Sequence, residues 1–248
     1  MSSSTTLLHG KKILIIGGSS GIGKAVAAAA LVHGAFVVIS SSSQKRVEAA
    51  VAELKTVGAN VSGSAFDVKD TQALKDFLTA QGKFDHLVYT AGEALPGTFP
   101  QEDITEQTRG NFGSRYWAPM IAAQHIHKHS PINPGGLITM SIGTVFNRPI
   151  PGWALVSGVA GATESATRGL AIDLKPIRVN TISPGVVDTE FWDATAQDAK
   201  AGIFSHYEKN LLVGHIGTPA EVAEACIFAM KVSHEALVVL LELKEGLA

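Results

Sequence analysis

One cysteine, Cys226, stands in the whole chain, so no disulfide can close within it and a reducing compartment suits it. Its neighbours Ala223, Ala225, Ile227 and Phe228 give it the setting of a buried helix thiol rather than a nucleophile. An excess of one charge is lacking too: 20 basic residues stand against 22 acidic ones, which leaves no basic footprint for nucleic acid. No apolar run reaches membrane-spanning length, and no basic amphipathic stretch suggests a membrane surface. The start, Met1 to Thr6, has neither the charged nor the apolar region of a secretory signal. A cytoplasmic protein handling a small molecule is the expectation. Tyrosine is scarce: Tyr89, Tyr116 and Tyr207 are followed four residues later by Glu93, Met120 and Leu211, never by a lysine.

What is present begins with Gly17-Gly18-Ser19-Ser20-Gly21-Ile22-Gly23, set between the apolar run Ile13 to Ile16 and the alanine-rich Lys24 to Leu31. That order reads strand, tight turn, helix, with glycines that let backbone N–H groups at a helix N-terminus approach a pyrophosphate. Apolar strand-like runs at 12–17, 35–39, 60–65, 84–89, 135–141, 177–182 and 236–243 alternate with helix-like stretches. The alternation predicts an α/β fold of Rossmann type, a doubly wound parallel sheet of seven strands in a single domain spanning 1–248. The least regular stretch, 190–215, carries Phe191, Trp192 and Tyr207 among polar residues and would sit beyond the strand ends. It reads as a substrate lid, with a surface excursion against a neighbouring subunit as the alternative.

The second strand ends in Ser40-Ser41-Ser42-Ser43-Gln44-Lys45-Arg46. With no carboxylate to repel a 2′-phosphate, hydroxyls from Ser40, Ser41 and Ser42 to donate to it, and Lys45 and Arg46 nearby, NADP(H) is favoured over NAD. The two cations read equally well as a solvated first helical turn.

Further motifs complete a resemblance over nearly the whole chain: Phe66-Asp67-Val68, Thr90-Ala91-Gly92, Asn111, Arg178-Val179-Asn180, Ser183-Pro184-Gly185-Val186-Val187-Asp188-Thr189 and Gly217-Thr218-Pro219-Ala220-Glu221. The chain resembles the short-chain dehydrogenase/reductase family. The resemblance implies that Gly17, Gly21 and Gly23, with Ser19, Ser20 and Ile22, cradle the pyrophosphate, and that Asp67 and Val68 contact the adenine. Thr90, Ala91 and Gly92 would line the ribose, and Pro184, Gly185, Val187 and Thr189 the nicotinamide. Ile16 replaces the usual threonine before the first glycine and Tyr89-Thr90 the usual paired asparagines, departures expected to loosen the support of the loop.

The family's proton relay is absent. Anchoring Val159-Ala160-Gly161 on its Lys-Ala-Gly puts Val159 at the lysine, Leu155 at the tyrosine and Ile142 at the serine, with Ser141 one step early on the strand. Of the tetrad only Asn111 remains. A positioned general acid is worth about 10²–10⁴ in rate, so ordinary ketone reduction is expected to be crippled. An iminium ion needs no such acid, because hydride addition removes its charge and leaves no alkoxide to protonate. In place of the relay stands Asn147-Arg148-Pro149-Ile150-Pro151-Gly152-Trp153, stiffened by two prolines, while Arg115-Tyr116-Trp117 follows Asn111 by one turn.

This replacement is similar to a narrow subgroup, the fungal reductase/Diels–Alderases of bridged indole alkaloids of the malbrancheamide and paraherquamide type. That resemblance implies NADPH reduction of a cyclic iminium from a prenylated tryptophan–proline dipeptide, then an intramolecular [4+2] cycloaddition. Arg115 and Trp153 match the subgroup as they stand. Ile150 replaces its aspartate and bears on the reductive step more than on the pericyclic one, which needs no proton transfer. Arg115, Trp153, Asn111 and Ile150 are therefore the candidate catalytic positions.

Other readings stay open. The chain is alternatively a cofactor-binding protein without redox chemistry, a sensor or partner subunit, or a reductase of other substrates with an acid relocated to Asp188 or Glu190. His125, His127 and His129 place an i,i+4 pair on one helix face, where a solvated helix end is favoured over a metal site. Asp173 is expected to pair structurally with Lys175 or Arg178. The family commonly assembles through helices starting near 104 and 154, and Ala160, Gly161, Ala162 and Ala166 give the second a small-residue face, so a homodimer or homotetramer is expected.

Overall fold

The computed structural model describes residues 7–93, 99–194, 197–211, 213–232 and 241–242. The strands are β1 (Lys12–Ile16), β2 (Phe36–Ser41), β3 (Val61–Ala65), β4 (Phe84–Tyr89), β5 (Ile132–Ser141), β6 (Arg178–Ser183) and the two-residue β7 (Leu241–Glu242). They pair in parallel in the order β3-β2-β1-β4-β5-β6-β7. β1 and β4 are buried along almost their whole length because both faces of a parallel sheet are covered. The chain leaves β3 at one edge and re-enters beside β1, which opens a crevice at the carboxyl ends of β1 and β4.

On one face α1 (Gly21–Val32) buries Gly23, Val26, Ala27, Ala30 and Leu31, a single stripe at helical spacing. It packs with α2 (Gln44–Leu54) and α8 (Pro219–Lys231) in one apolar cluster that includes Val47, Ala50, Val222, Ile227 and Met230. Thr218 and Glu221 form a reciprocal capping box that starts α8, an arrangement worth about 1 kcal/mol. Cys226 lies inside this cluster, and burial pushes its thiol up to about 12, in keeping with an inert core cysteine. On the other face α3 (Thr71–Ala80), α5 (Ala118–His129) and α6 (Ala154–Asp173) flank a second cluster built on Leu74, Phe77, Ala122, Ile126 and Leu174. The short α4 (Glu106–Phe112) runs through a π-turn at Gly113–Trp117 into α5.

Several sequence expectations need correction. β5 begins at Ile132, not 135: Ile132 pairs with Phe84 before the register shifts, so the turn-like Asn133-Pro134-Gly135-Gly136 is a bulge inside the strand. The stretch 190–215 is largely helical, with a 3₁₀ turn at Glu190–Ala194 and α7 at Gln197–Asn210. Arg178 does not pair with Asp173; its guanidinium donates to the carbonyls of Ala229 and Gly135. Most of the expected strand 236–243 lies outside the described residues. Among the described residues no helix is long and apolar enough to cross a membrane.

Candidate active site

The glycine loop is fixed from two sides. Gly17 and Gly18 donate their amides to the Ser40 carbonyl at 2.9 and 3.0 Å, which ties the loop to β2. From β4, the Thr90 hydroxyl reaches the carbonyls of Ile16 and Gly17 at 3.3 and 3.2 Å. The expected loosening of the loop is thus not seen; Thr90 supplies the hydroxyl that Ile16 lacks. Gly17 has φ +95°, and a Cβ there would stand 2.5 Å from the Ala91 amide nitrogen, so no other residue fits. Ser20 precedes α1 in an extended conformation and its side chain makes no capping bond. A close-packed turn with an unspent N-cap hydroxyl at a helix N-terminus fits a dinucleotide pyrophosphate. Ser19 and Ile22 are half-buried in the same turn.

At the end of β2, Ser40 is fully buried and its hydroxyl has no partner, so it serves the loop through its carbonyl. Ser41 is half-buried, and exposed Ser42 accepts from the Arg46 guanidinium at 3.3 Å. Lys45 and Arg46 occupy the exposed first turn of α2, behind the Ser43 cap. Hydroxyls and cations at this strand end suit a 2′-phosphate. Asp67 is exposed and accepts from the Lys69 amide, and Val68 packs beside it on the second cluster.

Beyond β6, the buried Pro184 accepts from the Thr144 amide, Gly185 is half-buried, and Val187 bridges to Gly217. Thr189 accepts from the Phe191 amide. Glu190 accepts the Gly21 amide at 2.8 Å and lies 3.9 Å from Lys24, while Asp188 pairs with Lys200 at 2.9 Å. The two acids considered as relocated proton donors are therefore each engaged by a cation. The Trp192 indole donates to the Val187 carbonyl and holds the 3₁₀ turn against this segment.

The positions of the missing relay are apolar in space as in sequence. Val159 is 3% exposed on α6, Leu155 is half-buried one turn earlier, and Ile142 is half-buried after β5 with its amide on the Ile182 carbonyl. Tyr89 is no substitute: it is buried in β4, donates to the Ser114 carbonyl at 2.5 Å, and burial raises its phenol far above the usual tyrosine range. Trp153 is half-buried at the start of α6, its amide on the Ile150 carbonyl. Asn111 lies in α4, and its side chain is outside those described.

Arg115, in the π-turn, donates from Nε and Nη2 to the Glu93 carbonyl at 2.9 and 2.5 Å. Its side chain runs along Gly92, where a Cβ would lie 2.8 Å from Cζ. Burial holds the guanidinium below its usual range, against the pull of Glu93 and Tyr89. The structure thus brings Arg115 onto the loop expected to line the ribose. Sequence reasoning missed Glu93, Ser114 and the bracing role of Thr90. The only signal was indirect, the adjacency of Thr90 and Glu93 to the Ala91-Gly92 motif. The rings of His125 and His129 do share a helix face at 4.3 Å, and His125 meets the Thr79 hydroxyl at 3.0 Å.

A family model described as an SDR-like Rossmann domain matches residues 5–238. The short-chain dehydrogenase/reductase malC of Malbranchea aurantiaca is 34% identical over 241 residues, covering 92% of this chain and 91% of that protein. The short-chain dehydrogenase/reductase fsr5 of Gibberella fujikuroi is 33% identical over 238 residues, covering 90% and 89%. The solved structure of the MalC reductase/Diels-Alderase from Malbranchea aurantiaca superimposes with a TM-score of 0.88 at 33% identity, over 98% of each chain. A small-chain dehydrogenase in complex with NADPH superimposes at 0.81 with 25% identity, over 96% of this chain and 98% of that one.

Proposed function

This chain belongs to the short-chain dehydrogenase/reductase family, and from that premise we propose that it is an NADPH-dependent reductase/Diels–Alderase-like enzyme of fungal indole alkaloid biosynthesis. Its substrate is a prenylated, tryptophan-derived cyclic iminium or azadiene. The observation that carries this reading is the Arg115 guanidinium lying on Gly92, together with apolar Leu155 and Val159 at the relay positions of α6. The likeness to MalC, which extends over nearly the whole chain, supports it. The enzyme works in the cytoplasm as a homodimer or homotetramer assembled through α4 and α6.

NADPH, when bound, supplies a hydride to an electrophilic carbon. Gly17, Ser19, Ser20, Ile22 and Gly23 would hold its pyrophosphate, joined by the Gly21 amide once the Glu190 carboxylate leaves it, and Ser41, Ser42, Lys45 and Arg46 would select its 2′-phosphate. Arg115 keeps its charge at every working pH and so orients an acceptor oxygen without moving a proton. Val159, Leu155 and Ile142 exclude water and offer no proton, which suits a cationic electrophile and disfavours an alkoxide product. Trp153 and Ile150 form the wall that holds diene and dienophile in one reactive arrangement, an effect worth up to several kcal/mol through lost freedom alone. The ion pairs of Asp188 and Glu190 weigh against a relocated acid.

Ile150 favours a second form of the same reading, in which the pericyclic step persists without net reduction. Anaerobic incubation with a prenylated tryptophan–proline iminium, with and without NADPH, tests both. NADPH loss together with one bridged enantiomer is the expected result. Bridged product without NADPH loss identifies the cyclase form. NADPH binding with neither outcome overturns the alkaloid assignment in favour of a cofactor-binding protein without redox chemistry.

A further inference from the structure

Ser114 and Arg115 are consecutive, and both hold Glu93. Arg115 grips its carbonyl oxygen through Nε and Nη2, while the Ser114 hydroxyl donates to its carboxylate at 2.7 Å. The π-turn that carries the pair, Gly113–Trp117, is an insertion of the kind that re-aims side chains at functional sites. The ring of bonds is fixed to the sheet: Ser114 is 1% exposed, and buried Tyr89 of β4 donates to its carbonyl. Lys69 approaches the other carboxylate oxygen at 3.7 Å, but both partners of that ion pair are well exposed, so solvent screens it. The hydrogen bond to Ser114 is therefore what holds the carboxylate.

Burial alone would raise the Glu93 carboxyl. The Ser114 hydrogen bond, its own backbone, Lys69 and Arg115 outweigh that and keep it below the usual carboxylate range. At neutral pH the group is ionised and accepts only. The electrostatic part of this stabilisation is complete above the ordinary carboxylate range and is lost as pH falls through the lowered folded value, while an oxygen remains to accept from Ser114.

We propose that Glu93 is the positioning residue for Arg115. Its carboxylate, leashed by Ser114, fixes the orientation of the peptide whose carbonyl holds the guanidinium over Gly92. Nη1, which makes no hydrogen bond to a described residue, is then turned in one fixed direction toward the substrate's acceptor oxygen. This inference rests on Arg115 acting on the substrate as proposed above. It differs from a surface ion pair in one respect: the geometry of the acceptor matters, and its charge does not.

Four proteins test it: the wild type, Glu93→Ala, Ser114→Ala and Glu93→Gln. The glutamine keeps an oxygen for the Ser114 hydroxyl and loses only the charge. Glu93→Ala and Ser114→Ala are expected to lower kcat for bridged product by about 10-fold, with KM and NADPH affinity held within about twofold, the signature of lost orientation. Glu93→Gln is expected to stay within about threefold of the wild type. A Glu93→Gln enzyme as slow as Glu93→Ala overturns the proposal, since the charge would then be the active feature.

A second readout needs no turnover. Hydrogen exchange at the Arg115 Nε–H, assigned by its loss in Arg115→Lys, is expected to be slow in the wild type and Glu93→Gln and about 10-fold faster in the two alanine variants. Equal protection in all four proteins overturns the positioning role. If the wild type forms no bridged product while the exchange pattern is as expected, the alkaloid reading falls and the positioning of Arg115 stands.

Discussion

The two halves of the crevice are built on different principles. On the β1–α1 side the groups offered to a cofactor are backbone amides, held by Gly17 and Gly18 on Ser40 and braced by Thr90. On the β5–α6 side the family's polar side chains are gone, and Ile142, Leu155 and Val159 stand in their places. Function that resides in backbone shape survives changes of side chain, as the exchange of Ile16 for a threonine illustrates. Function that resides in side-chain chemistry does not survive, so the second half has to do something other than relay a proton.

The sharpest way to break this contrast is Gly17→Ala. Overpacking against Ala91 is expected to cost about 1–3 kcal/mol, and the left-handed φ adds strain of similar size. NADPH affinity, read by fluorescence titration beside thermal unfolding, is expected to fall by more than about 100-fold as the turn opens. Near-normal binding would mean that the loop's backbone fit is not what holds the cofactor. Arg115→Ala probes the other half. Bridged-product formation is expected to lose about 10²-fold in kcat, near 2.7 kcal/mol, with NADPH affinity within about twofold. A large loss of NADPH affinity instead would assign Arg115 to the cofactor half. The smallest effect comes from Thr90→Val, which keeps the shape and removes the hydroxyl. It is expected to cost about 1 kcal/mol and to weaken NADPH by about three- to fivefold, with the cyclisation ratio unchanged.

The same division decides what could be read from the sequence. The Ile13 to Ile16 run, the glycine turn and the Ala25 to Ala30 helix announce themselves because apolar period and turn chemistry are local. The start of β5 does not show in the sequence because Pro134, Gly135 and Gly136 spell a turn, whereas the pairing of Ile132 with Phe84 depends on a strand distant in the chain. α7 leaves little trace in the sequence because Gln197–Asn210 is polar and largely exposed and so carries little apolar periodicity. Arg115 was legible as a cation near Asn111, but its anchor was not: the acceptor is a main-chain carbonyl, which every residue has, 22 positions away. Glu190 reads as a candidate acid from its neighbours, but its carboxylate binds the first amide of α1, a contact across 169 residues.

Gly92 gives the two halves a common hinge pin. Because the Arg115 side chain fills the space a methyl group would need there, the loop that belongs to the nucleotide half and the arginine that belongs to the substrate half form a lock and its key. A chimera that takes residues 89–93 from a relative with a side chain at 92 would push Arg115 off that loop. The loop and the π-turn have to be transplanted together, and a new activity built on this scaffold would inherit both or neither.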